Sequence, residues 1–431
     1  MRRIAVCCSP PQIDQGTGEG PVFWRLMPPS LSAVPARAGV STHAAAPPCP
    51  WGRSSRTRGG KQGLQGSVFR PTLADRVSGA LRHQSPLLGN PVRLFFLWLR
   101  VEAFVSLNLI SDPWIPVRCA DGSRRIIAPW QMAEPGIETP DWPRPDLNIA
   151  CLELLIGLVY LADPPADIED WDRRAAPDPA RLRDRLAAFA PAFNLLGDGP
   201  LFMQDLEVLT GEANPPDMLF IDSAGANTAR NNADLMVRRN RYPALDPALA
   251  AMALYTFQTF APAGGAGNRT SMRGGGPLVT LIEPGQGLWA RIWANVPYGH
   301  PAVPDNLPWM RPTRASDKGL ETLPPDGALF GHEAFFGMPR RLRLVADATH
   351  VTGVIQKPYG ANYALWKHPL SPYYRMKPGT EWLPKHPRAG RFGYRNWLGI
   401  LAREAKSEVA ELSLSLRNWS GRSGGGAVIV A

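Results

Sequence analysis

From residue 105 onward the sequence predicts an α+β fold, an irregular mixed α/β globular domain with long loops rather than a regular layered one. Three observations predict it. Asp146–Leu161 and Pro247–Phe260 are apolar around nearly their whole circumference and long enough for buried helices. Short runs bounded by turn residues, such as Leu278–Ile282 and Arg340–Val345, read as strands. The connections between them are rich in Pro and Gly and too polar to continue either pattern.

The elements follow in order. Leu107–Val117 alternates apolar and polar residues about Asp112-Pro113, which reads as strand, turn and strand. Asp146 is the expected N-cap of the first buried helix, with Cys151 in the core. Pro179–Ala190 is amphipathic, with Asp178 as N-cap and Arg181 and Arg185 on the wet side. Pro247–Phe260 has Asp246 as N-cap and Pro247 in its first turn. A glycine-dense loop, Ala261–Pro277, comes next, then two expected strands, Leu278–Ile282 and Leu288–Trp293. Pro301–Gly327 reads as irregular. Arg340–Val345 and Thr352–Ile355 read as strands, and Lys357–Arg391 as long exposed loops. Asn396–Lys406 and Ser407–Leu416 read as helices. The closing Leu416–Ala431 ends in an apolar, strand-like run. An exposed final strand would be an unmanaged edge, so the chain is expected to stop in the middle of a fold. No internal repeat is visible.

Charge divides the 431-residue chain in two. Residues 1–104 hold 13 Lys and Arg against 4 Asp and Glu, a net of +9, whereas the remainder holds 34 against 33, a net of +1. Any nucleic-acid binding by the body must therefore come from local clusters rather than from overall charge. Residues 1–104 are rich in Pro, Arg, Gly, Ser and Ala, as in Ala46–Gly60, and hold no lasting periodicity. They read either as a disordered basic arm or as translated noncoding DNA upstream of a natural start at Val105, where GTG would serve as start codon. The body has only Cys119 and Cys151, outside any CxxC, which fits a reducing, cytoplasmic setting without a disulfide framework. The apolar runs Leu94–Leu99 and Leu154–Ala162 are short for a membrane span, so no membrane partner is expected.

Three segments invite a functional reading. In the glycine loop, Gly264, Gly265, Gly267 and Gly274–Gly276 allow close backbone approach and expose N–H groups. Asn268 is polar, and Arg269 and Arg273 add positive charge. Such a loop suits a sugar-phosphate backbone or a groove, and equally an ordinary helix-to-strand connection. It is not a P-loop, because Asn268 stands where Lys is required and Pro262 where the first Gly is required. The second segment, Asn227–Arg241, sets Arg230, Arg238, Arg239 and Arg241 among Asn and small residues, which suits phosphate or base edges or a solvated surface. These two basic loops lie at opposite ends of a helix about 20 Å long. The third is Lys357, in the turn-forming Gln356–Gly360, which would project from a hairpin. His300, His332, His350, His368 and His386 show no metal-ligand spacing, and no GxSxG occurs. No catalytic residues, cofactor or metal are expected, and a nucleotide-handling enzyme is the remote alternative.

Four features in order carry a family resemblance: the opening LNLISDPWIPV from Leu107, PLFMQ at Pro200–Gln204, APAGGAGNRTSMRGGGPL at Ala261–Leu278, and EAFFGMPRRLRL at Glu333–Leu344. Together they resemble CasA, the large-subunit family of type I-E CRISPR Cascade complexes. The resemblance implies a non-catalytic, DNA-binding subunit of an antiviral, crRNA-guided complex. It would read the protospacer-adjacent motif in target double-stranded DNA from the minor groove, help open the duplex and recruit a helicase-nuclease. Its partners would be crRNA and the other Cascade subunits. The family's glycine loop falls on Ala263–Gly267, where minor-groove entry excludes bulk. The family's lysine finger falls on Lys357, and a flexible DNA- and crRNA-contacting loop on about Asn232–Pro243, with Leu235 in place of an aromatic anchor. Relatives continue into a hairpin with a wedge residue and a C-terminal four-helix bundle, which the resemblance implies are absent here. A zinc-binding CxxC of some relatives has no counterpart in Val345–Lys357, so no zinc is expected. A purely structural subunit and a truncated, non-functional relic are the alternatives.

Overall fold

The computed structural model describes residues 22–26, 106–223, 225–234, 237–265, 267–325, 330–387, 396–402, 407–422 and 426–431. The chain divides into two units, Met1–Pro29 with Glu102–Ala431, and Ser30–Val101, and every described residue belongs to the first. Its strands are β1 (Val22–Leu26), β2 (Ile115–Cys119), β3 (Arg124–Ile127), β4 (Ile137–Pro140), β5 (Thr280–Glu283), β6 (Arg341–Ala346), β7 (Val351–Lys357), β8 (Tyr373–Tyr374), β9 (Leu383–Pro384), β10 (Ala410–Glu411) and β11 (Gly426–Val430). Its helices are α1 (Pro145–Ala162), α2 (Ile168–Arg173), α3 (Pro179–Ala187), α4 (Ala226–Arg230), α5 (Pro247–Phe260), α6 (Gly287–Asn295), α7 (Glu333–Phe336) and α8 (Leu414–Ser420). The strands form separate small sheets, ordered β3-β2-β4, β1-β11-β5 and β10-β8-β9, plus the hairpin β6-β7. This is the α+β, loop-rich architecture that the sequence predicts.

The helices α1 and α5 pack together at the centre because both are apolar almost all round. The 18 residues of α1 match a membrane span in length and hydropathy, yet most of them are buried within the protein. It begins one residue before the expected cap, with Pro145 in its first turn, Arg144 at the cap position and Asp146 bonded to the Arg144 guanidinium. The caps Asp178 and Asp246 hold as expected, accepting from the Arg181 and Ala248 amides. Around the helices, Phe193, Phe202, Tyr255, Trp309 and Phe336 form an aromatic cluster in which ring pairs meet edge-on as well as stacked.

Several expectations are corrected. Leu288–Trp293 is helical, within α6: Leu288 and Ile292 are buried one turn apart, a spacing that a six-residue window also reads as alternation. Only the second half of Leu107–Val117 is a strand. Asn108 Oδ1 accepts from the Ile110 and Ser111 amides, and that local turn competes with a ladder. Trp397–Ala402 is a turn with Gly399 at φ +78°, not a helix, and residues 403–406 lie outside the described residues. The helix expected at Ser407–Leu416 starts only at Leu414, after β10. The final apolar run is no exposed edge: β11 is the middle strand of its sheet, pairing antiparallel with both β5 and β1. Lys357–Arg391 is not uniformly exposed, since Trp366, His368, Leu370 and Tyr373 are buried.

One polar cluster lies inside this core. Glu153, midway along α1, takes both terminal nitrogens of Arg273, at 2.6 and 3.2 Å, and both side chains are fully buried. Burial pushes the Glu153 carboxyl up, but the Arg273 guanidinium overrides it and holds the group below its ordinary value. His368 Nε2 lies 3.2 Å from the same carboxylate. Burial, then Arg273, lowers the imidazole pKa to about 4, so it is neutral at pH 7. Its Nδ1 accepts from the Leu370 amide, which places the ring proton on Nε2.

Two stability predictions follow from this packing. Glu153→Leu, which strands a buried guanidinium, should cost about 3–5 kcal/mol in urea denaturation, whereas Glu153→Leu combined with Arg273→Met should lose far less. Equal losses would show that the pair is not what matters. Gly157→Ala should lower stability by about 1–3 kcal/mol although Ala is the better helix former. Its β-carbon would stand 2.8 Å from the Phe335 β-carbon.

Candidate nucleic-acid interface

The site is built on α5 and on the start of β6. Gln258, buried near the end of α5, donates to the Arg340 and Met203 carbonyls and accepts from the Arg340 amide. That clamp fixes the backbone of Arg340, whose guanidinium then lies over the Phe257 ring, 5.2 Å from its centre. The guanidinium donates at 2.6 Å to the carbonyls of Pro262 and Arg269, on the two limbs of the glycine loop. Arg340 is only 4% exposed and has no carboxylate partner among the described residues. Burial lowers its pKa to about 10, which leaves it charged at neutral pH. The loop is therefore wrapped around a buried cation.

Below Arg340 the loop is closed at its neck by the Ser271 amide donating to the Ala261 carbonyl, 3.0 Å. Arg273 leaves the neck toward the interior, lying 4.8 Å from the Phe260 ring centre and meeting Glu153. The lip of the loop meets the end of β7. Gln356 donates to Asn268 Oδ1 at 2.7 Å, and the Tyr359 amide donates to the Gly267 carbonyl at 2.6 Å. On the other flank, Arg269 binds the Ser316 hydroxyl and carbonyl, and that hydroxyl donates to the Gly360 carbonyl. The glycine loop and the Gln356–Gly360 turn thus form one hydrogen-bonded unit.

Three of the loop's six glycines answer to the protein itself. A β-carbon on Gly264 would stand 2.6 Å from the Arg340 nitrogens, on Gly267 2.8 Å from Pro358, and on Gly275 2.8 Å from the Ala261 carbonyl oxygen. Gly265 and Gly276 are different: both are exposed, at φ +83° and +60°, with nothing within 4 Å of their β-carbon positions. Of the two, Gly265 lies beside the residues bonded to the Gln356–Gly360 turn, where external bulk could approach the backbone next to Lys357.

The candidate residues therefore separate. Gly264, Gly265, Gly267, Asn268 and Arg269 share the loop, with Lys357 at its border. Lys357 Nζ rests 3.7 Å from the β-carbon position of Gly211 and makes no ion pair among the described residues. Arg273, expected among the DNA-contacting residues, is buried in the core, which removes its side chain from any ligand. Arg238, Arg239 and Arg241 stand elsewhere. Leu245, four residues past Arg241, bridges Val351 at the far end of β7, about 20 Å along the strand from Lys357. Arg239 is paired with Asp234, and Arg241 with Asp222 over the Phe220 and Tyr242 rings. Arg238 is exposed and has no ion pair among the described residues. Leu235 lies outside the described residues.

Sequence reasoning missed Arg340, Gln258, Glu153 and Tyr359. A Glu in a helix apolar all round is a signal for a buried partner, since Glu is almost never buried unpaired. Nothing local marks Arg340 as the loop's centre. Among the described residues no group of three His, Cys, Asp or Glu side chains could hold a metal ion.

Solved structures share this fold. A CRISPR-associated protein from Thermus thermophilus is 20% identical, with a TM-score of 0.55 over 73% of this chain and 65% of its own. Cse1 from Acidimicrobium ferrooxidans is 21% identical, with a TM-score of 0.55 over 75% of this chain and 66% of its own. A chain of a CRISPR RNA-guided surveillance complex in a pre-nicking state is 16% identical, with a TM-score of 0.53 over 75% of this chain and 70% of its own. The chain spans less than two thirds of the length of the Thermus and Acidimicrobium proteins. The family described as CRISPR-associated protein Cse1 matches residues 108–426, from the opening Asn108 to the start of β11. By that match, which covers most of its length, the chain belongs to the CRISPR-associated protein Cse1 family.

Proposed function

We propose that this chain is a non-catalytic subunit of a crRNA-guided complex of the Cascade type. In this reading it contacts the protospacer-adjacent motif of target double-stranded DNA through the glycine loop and Lys357, helps to start duplex opening and offers a surface to a helicase-nuclease. Family membership supports the complex, and one observation carries the DNA contact. Arg269 and Arg340 meet within an exposed glycine loop, Lys357 directly follows Gln356, which bonds that loop at Asn268, and none of the three cations has a carboxylate partner among the described residues. A loop that carries net positive charge beneath an open backbone suits a polyanion whose groove admits little bulk. Lys357 supplies the mobile charge, its long stem held by no ion pair. Gly265 supplies the close approach, and Arg269 and Arg340 hold the loop while adding to its field. Arg238 is a separate cation, suited to a phosphate of DNA or of crRNA away from the loop.

The test is duplex binding by the complex reconstituted with this chain, across a salt series, on targets with matched and scrambled flanking sequences. Lys357→Ala should weaken binding several-fold and reduce the salt slope by about 1. Gly265→Asn keeps a residue that tolerates positive φ but adds bulk, and should also weaken binding to the matched target. Arg239→Ala, whose charge is already paired, should leave the slope unchanged. Normal assembly without any flanking preference would instead make the chain a structural subunit.

A further inference from the structure

The turn after β7 contains a tyrosine in a conformation that tyrosine rarely adopts. Tyr359 has φ +63°, in the left-handed region that residues with a β-carbon disfavour. The surroundings enforce this backbone. Its amide donates to the Gly267 carbonyl at 2.6 Å, and its carbonyl accepts from the Ser316 amide at 3.1 Å. Pro358 before it packs on Gly267, and Gly360 after it comes so near the Pro339 carbonyl that any β-carbon would collide. A glycine at 359 would make the same turn without strain. The side chain is not explained by the core either: it is 41% exposed, and its hydroxyl has no hydrogen-bond partner among the described residues. One edge of the ring lies against Gly267, where a β-carbon would stand 3.4 Å from Cε1 and 3.5 Å from Cζ. Strain held by a network around an exposed aromatic is the pattern of a functional position.

We propose that Tyr359 is a further DNA-contacting residue, an aromatic platform fixed at the lip of the glycine loop that packs on the deoxyribose and base edges of a duplex. The inference rests on the reading of the loop and Lys357 given above. Three features commit the platform to nucleic acid rather than to a protein surface. Its ring lies against Gly267, two residues from the open backbone at Gly265, it is two residues from an ammonium without an ion pair, and it is joined by hydrogen bonds to a loop at which Arg269 and Arg340 lack carboxylate partners. Aromatic and apolar side chains carried into the minor groove on such rims make contact that is independent of charge.

The experiment uses the full chain, a short fluorescein-labelled duplex and anisotropy titration over a range of salt, with thermal melting of each variant. Tyr359→Gly should bind roughly tenfold more weakly at every salt concentration with an unchanged salt slope, because no charge is lost. Its melting temperature should equal or exceed that of the parent, because the strain is relieved. Tyr359→Phe should bind like the parent. Parent-like affinity of Tyr359→Gly, with Lys357→Ala still weakened, would overturn the platform and leave the loop reading standing. A lower melting temperature accompanying the loss would reassign Tyr359 to packing and also overturn it. No duplex binding by the parent chain, or none altered by either variant, would overturn both. Parent-like duplex binding of Tyr359→Gly together with failure to join the reconstituted complex would make the ring a protein contact instead.

Discussion

A buried guanidinium without a carboxylate constrains the candidate site. Arg340, immediately before β6, is buried in the interior, and water cannot solvate it there. Burying a charge costs much unless polar groups meet it. The groups that meet it are carbonyls from both limbs of the glycine loop, so the loop must fold with those oxygens turned inward. Gly264 follows as a consequence, because a side chain there would occupy the space of the guanidinium. Gln258 follows as well, since it holds the Arg340 backbone from α5 through a donor and an acceptor at once. Carbonyls neutralise no charge, so the field of Arg340 remains and adds to those of Arg269 and Lys357.

Arg273, four residues past Arg269, solves the same problem differently. It meets Glu153 in a bidentate pair, so it anchors the loop to α1 while cancelling its own charge. The two arginines divide the work: one fixes the loop to the core, and the other shapes its lip and leaves it positive. The same division separates the glycines. Gly264, Gly267 and Gly275 are required by neighbouring atoms of the chain, and Gly265 and Gly276 by none. Glycine density therefore overstates how much of the loop is open to a ligand.

Local chemistry was legible in the sequence, and long-range chemistry was not. Asp178 and Asp246 announce their helices because a cap is satisfied within three residues. The glycine loop stood out by composition and Lys357 by its turn context and the family resemblance, and the strands of the hairpin β6-β7 by their apolar runs. Leu288–Trp293 was misread because six residues cannot separate the two periods. The edge expected at β11 vanished because its pairing partners are β5, nearly 150 residues earlier, and β1. Arg273 was placed among the DNA-contacting residues because its partner lies 120 residues away in α1, out of sight of the local sequence. Tyr359 drew no notice because backbone strain is a property of the folded turn, not of the residue.

The central claim is that the glycine loop and the turn after β7 act as one duplex-contacting unit, set around Arg340. Amide hydrogen exchange of the chain, with and without duplex DNA, tests it directly. Exchange should slow together in residues 263–268 and 356–360 when duplex is added, and stay unchanged in β2, β3 and β4. Protection confined to residues 237–241, or absent from both segments, would contradict the claim.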